Sequence, residues 1–201
     1  MRRLGAVLCA VVALVWITGC AKPPQADIDA ANAALSAARS AEAGEYAADS
    51  LRAAEDAIAK VNGELKVQEE KFALFRSYKQ TATLVADAKA AGEKATADAK
   101  AGKQRAMQEA TDAISQAKAA LTEGKEMLTK APRGKGTQAD LQQLEADLAG
   151  AETTVADADA AFASERYKDA KAKAGSAMST IGSVKSAVEQ AIAARQKARG
   201  R

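Results

Sequence analysis

Apolar residues recur along most of the chain at alternating intervals of three and four positions, with polar residues between them. Four segments keep this seven-residue repeat, which is the period of α-helices that pack as left-handed coiled coils. Large residues alternate with alanine or glycine in the repeat, so neighbouring helices can approach closely. The pattern predicts an all-α fold of antiparallel, coiled-coil-like helical hairpins or three-helix bundles, elongated in shape.

Breaks in the repeat set the expected helix boundaries. A first helix begins near Asp27 and ends near Gly44, and a second starts near Tyr46. Three later stretches have similar lengths and predict one three-helix bundle. They are residues 103–130, 138–163 and 166–197, and the chain breaks most clearly at residues 131–136.

The region before residue 103 allows two interpretations. It forms either a second bundle that shares a long helix from about 74 to 130, or a hairpin stack in which residues 46–130 are one uninterrupted helix. Asn62-Gly63 is either a turn or a tolerated weak spot, and we favour the weak spot. Phe72 and Phe75 continue the apolar stripe of the second helix, so a turn near Phe72 stays open.

The first residues read MRRLGAVLCAVVALVWITGC. Arg2 and Arg3 precede an uncharged apolar run at residues 4–17, and small residues follow. This order is typical of a secretory signal peptide. The apolar run of about 14 residues is short of the roughly 20 that span a bilayer. The alternatives are an uncleaved membrane helix and a plain secretory signal in which the cysteine occurs by chance.

Ile17-Thr18-Gly19-Cys20 resembles the lipobox of bacterial lipoproteins. The resemblance implies cleavage between Gly19 and Cys20, a diacylglyceryl group on the Cys20 thiol and an acyl group on its new amine. Several acyl chains give a stable anchor in lipid. Ala21, where aspartate would favour the inner membrane, implies the outer membrane with the protein facing the periplasm. Pro23 and Pro24 then form a short, stiff tether.

The first half of the chain is similar to a group of Gram-negative, alanine-rich helical lipoproteins described only as a domain of unknown function. The similarity covers roughly residues 20–100. It comprises the lipobox, an alanine-rich helix, the Gly44-Glu45-Tyr46 turn, a second alanine-rich helix and a helix led by Tyr78. The group brings no known activity.

A weak internal repeat joins residues 37–58 and 156–178. Each copy has a helix end, a tight turn, a tyrosine and an alanine-rich helix start. Tyr46 and Tyr167 follow the two turns, and we interpret each ring as a wedge in a helical hairpin.

Composition excludes most chemistry. The chain has no histidine, Cys9 leaves with the signal and Cys20 is acylated, so we expect no metal, no disulfide and no cofactor beyond the covalent lipid on Cys20. Removal of Arg2 and Arg3 leaves 27 basic residues against 26 acidic ones. A net charge near +1 produces no strong positive potential that would attract nucleic acid. We therefore expect no enzyme and no nucleic-acid partner.

The expected organisation has four parts. They are a removed signal peptide at 1–19, a lipidated tether at 20–26, an N-terminal helical hairpin region at 27–100 and a C-terminal three-helix bundle at 101–201. The leading hypothesis is a non-enzymatic, lipid-anchored spacer, scaffold or adaptor of the envelope, which associates with itself or with an envelope protein through coiled-coil surfaces.

The alternative hypothesis is a helical-repeat module at the outer membrane that binds a peptide or a glycan. Its binding surface would be the concave side near Tyr46, Phe72, Phe75 and Tyr78, where aromatic residues are densest. The competing interpretation of the same rings is packing between helices.

Overall fold

The structure is a computed structural model that describes residues 22–132 and 138–199. The predicted all-α class is confirmed, and the described residues contain no strand. In chain order the helices are α1 (Gln25–Ser40), α2 (Ala43–Tyr46), α3 (Ala48–Glu70), a 3-10 turn (Ala73–Phe75), α4 (Lys79–Thr129), α5 (Gln138–Ala163) and α6 (Tyr167–Arg199). The predicted signal peptide, Gly19 and Cys20 lie outside the described residues.

The chain divides into two compact units, an N-terminal unit that ends at Gly102 and a C-terminal unit that begins at Lys103. Helix α4 supplies residues to both. The alternative of one uninterrupted helix over residues 46–130 is wrong, because the chain leaves the helix between Glu70 and Lys79. The preference for a weak spot at Asn62-Gly63 is confirmed, since α3 runs through both residues.

The N-terminal unit packs α1, α3 and the first part of α4 around two apolar clusters. One cluster contains Leu35, Ala38, Ala43, Ala54, Ala95 and Ala99, and the other contains Ile28, Ala31, Val61, Val85 and Ala88. From the first cluster to the second, residue numbers fall along α1 and rise along α3. The two helices are therefore antiparallel, and α1 begins at the end of the unit where α3 finishes.

Two glycines let α4 approach the rest of this unit closely. A Cβ added to Gly92 would lie 2.9 Å from the backbone carbon and the Cβ of Ala34 in α1. A Cβ added to Gly102 would collide with the Tyr46 carbonyl oxygen. Neither a backbone atom nor an alanine Cβ can rotate aside, so a side chain at either position would force the neighbouring backbone to shift.

One apolar cluster of the C-terminal unit has larger side chains. It comprises Leu121, Leu128, Ala131, Leu148, Ala151, Ile181, Val184 and Val188.

Ion pairs join the helices on the surface of the C-terminal unit. Those from α4 to α5 are Lys118–Asp159 and Lys125–Glu152. Three further pairs, which we call the glutamate ladder, are Lys103–Glu165, Glu109–Lys171 and Glu123–Lys185, at 2.7, 2.9 and 2.7 Å. Their constant offset shows that α4 and α6 run parallel here.

The weak sequence repeat corresponds to two turns with a left-handed glutamate, Glu42 with φ 61° and Glu165 with φ 59°. At the second turn the Arg166 N–H donates to the Ala161 carbonyl at 3.0 Å, which is a Schellman closure of the helix end. Tyr167 is buried there against Phe162, with ring centroids 5.1 Å apart. Tyr167 thus packs in the hairpin as the sequence predicts.

Candidate functional site

The structure separates the four aromatic residues that the sequence suggests as a binding surface. Tyr46 is the last residue of α2, just before α3, whereas Phe72, Phe75 and Tyr78 lie between α3 and α4. Helix α3 has 23 residues and therefore spans about 35 Å between the two places. Three of the four residues share one segment, and Tyr46 belongs to the opposite end of the unit.

The segment between α3 and α4, residues 71–78, is here called the apolar loop. Phe72, Leu74 and Phe75 are 69%, 76% and 75% exposed, and the two phenyl rings lie 6.4 Å apart. Three large apolar side chains this exposed within four residues are unusual on a folded surface. The expected continuation of the α3 stripe through Phe72 and Phe75 is wrong, because α3 ends at Glu70.

Arg76 closes the end of α3. Its Nε donates to the Lys71 carbonyl at 3.0 Å and its Nη2 donates to the Glu69 carbonyl at 2.9 Å. The last carbonyls of a helix lack partners within the helix, and a cation beside them also suits the helix dipole. Arg76 therefore fixes the point at which the chain turns out of α3.

Gln68 holds the loop from its other side. This side chain is buried, and its Oε1 accepts the Ser77 N–H at 3.0 Å. Its Nε2 donates to Glu64 Oε1 at 2.7 Å, which sets the direction of the amide. The exposed aromatic residues are thus carried by a loop with defined contacts at both of its ends.

The tether lies at the same end of the unit as the apolar loop. The Pro24 carbonyl accepts the N–H groups of Asp27 and Ile28 at 3.1 and 3.0 Å, so α1 begins directly after the two prolines. Ile28 belongs to the cluster of Val61, against which Leu65 packs. The start of α1 therefore lies at the end of the unit where α3 finishes, which is the end that carries the apolar loop.

Charge around the apolar loop is basic. Lys71, Arg76 and Lys79 fall within nine residues that contain no acid, and Glu69 and Glu70 precede them. Lys71 and Lys79 are exposed. The loop thus combines exposed apolar side chains with a basic border.

Sequence reasoning missed Leu74 as part of this surface and placed it in a helical stripe. A signal was available, because three large apolar residues, two lysines and an arginine fall at the point where the helical register shifts. Spacing alone did not reveal it, because Phe72 and Phe75 also fit the α3 register.

The rest of the described chain offers little chemistry. Residues 22–132 and 138–199 hold no group of three histidine, cysteine or acidic side chains that could bind a metal ion. Within the same residues no helix is long and apolar enough to cross a membrane. The C-terminal unit has shallow grooves of about 340 and 350 Å³, one beside Leu141 and Leu144 and one beside Ile114 and Phe162. None of the sequence-predicted site residues lines either groove.

No family model, no curated protein and no solved structure matches the chain. The lipobox resemblance and the likeness to lipoproteins of a domain of unknown function therefore stay predictions. The residue on which the anchor depends, Cys20, lies outside the described residues.

Proposed function

We propose that this chain is a non-enzymatic lipoprotein of the outer membrane that faces the periplasm. It is anchored by the acyl groups of Cys20 and acts as an envelope spacer, scaffold or adaptor through its helical surfaces.

The observation that carries the proposal is the short connection between the predicted anchor and the folded unit. Helix α1 begins at Gln25, five residues after Cys20. A fully extended chain gains at most about 3.6 Å per residue, so an acyl anchor on Cys20 would lie within about 18 Å of α1. An acylated Cys20 would therefore hold the N-terminal unit against the lipid surface.

Open faces of small residues support the part of the proposal that concerns helical partners. Gly175 and Gly182 lie one heptad apart on α6, and a Cβ added to either meets no atom within 4 Å. Another helix can approach such a face closely. A second copy of the chain or an envelope protein would meet the unit in this way.

The anchor is tested by feeding cells an alkyne-tagged fatty acid, with Cys20→Ser as the matched control. We expect label on the original chain, a mature N-terminal peptide that begins at acylated Cys20, and sedimentation with the outer membrane on a sucrose gradient. The control chain should carry no label and keep its first 19 residues. An unlabelled original chain in the soluble fraction would contradict the proposal.

The scaffold role is tested by cross-linking in living cells and affinity capture from the membrane fraction. A specific envelope protein would support an adaptor, and capture of the chain alone as an oligomer would support a spacer that self-associates. A monomer with no cross-linked partner would contradict a role through helical surfaces.

No observation on the described residues favours the peptide- or glycan-binding alternative. Its surface requires Tyr46 to act with Phe72 and Phe75, and α3 holds these residues at opposite ends of the unit. Of the remaining aromatic residues, Phe72 and Phe75 are exposed on a loop.

A further inference from the structure

We propose that the apolar loop enters the surface of the membrane that holds the anchor, with Phe72, Leu74 and Phe75 as the inserted side chains. This inference rests on the proposed function, because the anchor sets which surface the loop meets.

The first argument is the way the loop is built. Arg76 and Gln68 bind backbone groups on either side of it, at 2.9 to 3.0 Å, while the three apolar side chains between these contacts face outward. The hydrogen bonds of Arg76 and Gln68 therefore fix the backbone of the loop. The three apolar side chains stay exposed among the described residues. A short wedge of this kind buries apolar side chains at the boundary of head groups and acyl chains.

The second argument is position. The tether and the apolar loop lie at the same end of the N-terminal unit, because α1 and α3 are antiparallel and share the cluster of Ile28 and Val61. Cys20 precedes Pro24 by four residues, which reach at most about 14 Å. A membrane that holds Cys20 would therefore lie at the end of the unit that carries the loop.

The third argument is charge. Lys71, Arg76 and Lys79 border the three apolar side chains. Basic residues at a membrane surface are attracted to anionic lipid head groups, and phenylalanine and leucine side chains are buried at the boundary just below them. Together these residues match a phospholipid surface that contains anionic head groups.

The area of the surface argues against a protein as the occupant. Two phenylalanines and a leucine offer roughly 500 Å². A stable protein interface needs about 800 Å² from each partner. A lipid surface has no such threshold here, since the acyl anchor already holds the protein in place.

The experiment places a single tryptophan in the loop of the mature, acylated protein. Phe75→Trp is the reporter, and it is combined with Trp16→Phe so that no other tryptophan contributes whether or not the signal is removed. The protein is reconstituted in vesicles of phosphatidylethanolamine and phosphatidylglycerol with brominated or ordinary acyl chains. We expect a blue-shifted emission that brominated chains quench.

The matched control is Ala48→Trp with Trp16→Phe. Ala48 is an exposed residue of the same unit at the far end of α3. Its emission should stay that of a tryptophan in water, with no quenching. Equal quenching at both positions would overturn the inference, because the unit would then meet lipid without using the loop in particular.

The remaining outcomes separate this inference from the proposed function. Acylated Cys20 with an unquenched Phe75→Trp would overturn the inference alone. A blue shift without quenching would mean that a protein covers the loop, which also overturns it. If the N-terminal peptide lacks acyl groups, the proposed function fails, and the same reporter is read with added vesicles. Quenching would then support insertion of the loop without the anchor. No quenching would overturn the insertion of the loop as well as the proposed function.

A second set of variants identifies the inserted side chains. Phe72→Ser and Leu74→Ser are introduced singly into the reporter, and each should weaken the loop's partitioning into lipid by about tenfold, seen as lost quenching. Both residues are exposed, so the fold should not change. Quenching that survives both changes would overturn the assignment. Lys71→Gln with Lys79→Gln should reduce quenching only where phosphatidylglycerol is present.

Discussion

At Gly92 in the N-terminal unit, an added Cβ would meet backbone and Cβ atoms of Ala34 at 2.9 Å, whereas at Gly124 in the C-terminal unit it would meet side-chain ends of Ile181 and Leu148 at 3.2 Å. The apolar clusters differ in the same way. The cluster of Ala95 and Ala99 in the N-terminal unit consists mostly of alanine, and the cluster of Leu148 and Ile181 in the C-terminal unit consists mostly of leucine, isoleucine and valine.

This comparison indicates two ways of stabilising a helical bundle with one heptad pattern. Alanine buries little apolar area, so packing around the alanine-rich cluster of the N-terminal unit depends on close backbone approach and dispersion contacts. Packing around the leucine-rich cluster of the C-terminal unit depends on the volume of its side chains, which can adjust their rotamers. Substitutions that change volume and substitutions that add a Cβ should therefore affect these two clusters differently.

The largest effect is expected from Ile181→Ala in the C-terminal unit. Ile181 is fully buried, and the truncation leaves a cavity. We expect the free energy of unfolding of this unit to fall by about 2–5 kcal/mol. Urea denaturation followed by circular dichroism measures the loss, and hydrogen exchange resolved by peptide assigns it to residues 103–201. Met107→Ala, at an exposed position, is the control, and an equal loss in both variants would refute the volume argument.

A smaller effect is expected from Gly92→Ala, which should lower the free energy of unfolding although a glycine-to-alanine change within a helix usually raises it. Alanine is the better helix former by about 1 kcal/mol, but the displacement of Ala34 costs about 1–3 kcal/mol. We expect a net destabilisation of up to about 2 kcal/mol in urea denaturation. Gly63→Ala is the control, because an added Cβ there meets nothing within 4 Å, and it should stabilise the unit.

Gly124→Ala extends the same test to the C-terminal unit. The ends of Ile181 and Leu148 can turn aside, so the gain in helix propensity and the cost of repacking should nearly cancel. If Gly92→Ala and Gly124→Ala gave the same change, the distinction between the two units would be wrong.

The local part of the fold was predictable from the sequence. The helix at residues 138–163 has the predicted bounds, because a heptad repeat and its breaks are short-range signals. The end of α3 was not predictable in this way, because Phe72 and Phe75 continue its spacing. Side-chain contacts of Gln68 and Arg76 with the backbone end the helix there, and these depend on the folded loop.

The candidate site shows the same limit. The sequence singled out Phe72, Phe75 and Tyr78, which share one segment, but grouped them with Tyr46 because of their density along the chain. The continuity of α3 through Asn62-Gly63 separates Tyr46 from the others. Proximity in sequence is a poor guide to proximity in space when a helix of 23 residues lies between two residues.

A stabilising change is expected at Thr81 in the N-terminal unit. Thr81 is fully buried, and its hydroxyl has no hydrogen-bond partner among the described residues. Thr81→Val keeps the shape and removes the unpaired group, so the free energy of unfolding should rise by about 1 kcal/mol. Thr83→Val is the control, since Thr83 is exposed and its Oγ1 donates to the Lys79 carbonyl. A loss of stability in Thr81→Val would show that the hydroxyl has a partner.

The smallest effect concerns pH and the glutamate ladder of the C-terminal unit. A lysine hydrogen bond, and then the lysine charge, lowers the pKa of the carboxyl groups of Glu109, Glu123 and Glu165 from the ordinary value of 4.5. Because the pKa is lower in the folded state, the stabilisation is present above pH 4.5 and is lost as pH falls through the folded pKa. The carboxylates are exposed, so the change is small.

Replacement of the three ladder glutamates by glutamine tests this titration. Urea denaturation between about pH 6 and pH 3 should show a shallower loss of stability in the triple variant than in the original chain, because the titrating groups are gone. High salt should reduce the difference by screening the pairs. Hydrogen exchange should place the difference in residues 103–201. An unchanged pH profile would mean that the ladder does not stabilise the C-terminal unit, whose stability would then come from its apolar core.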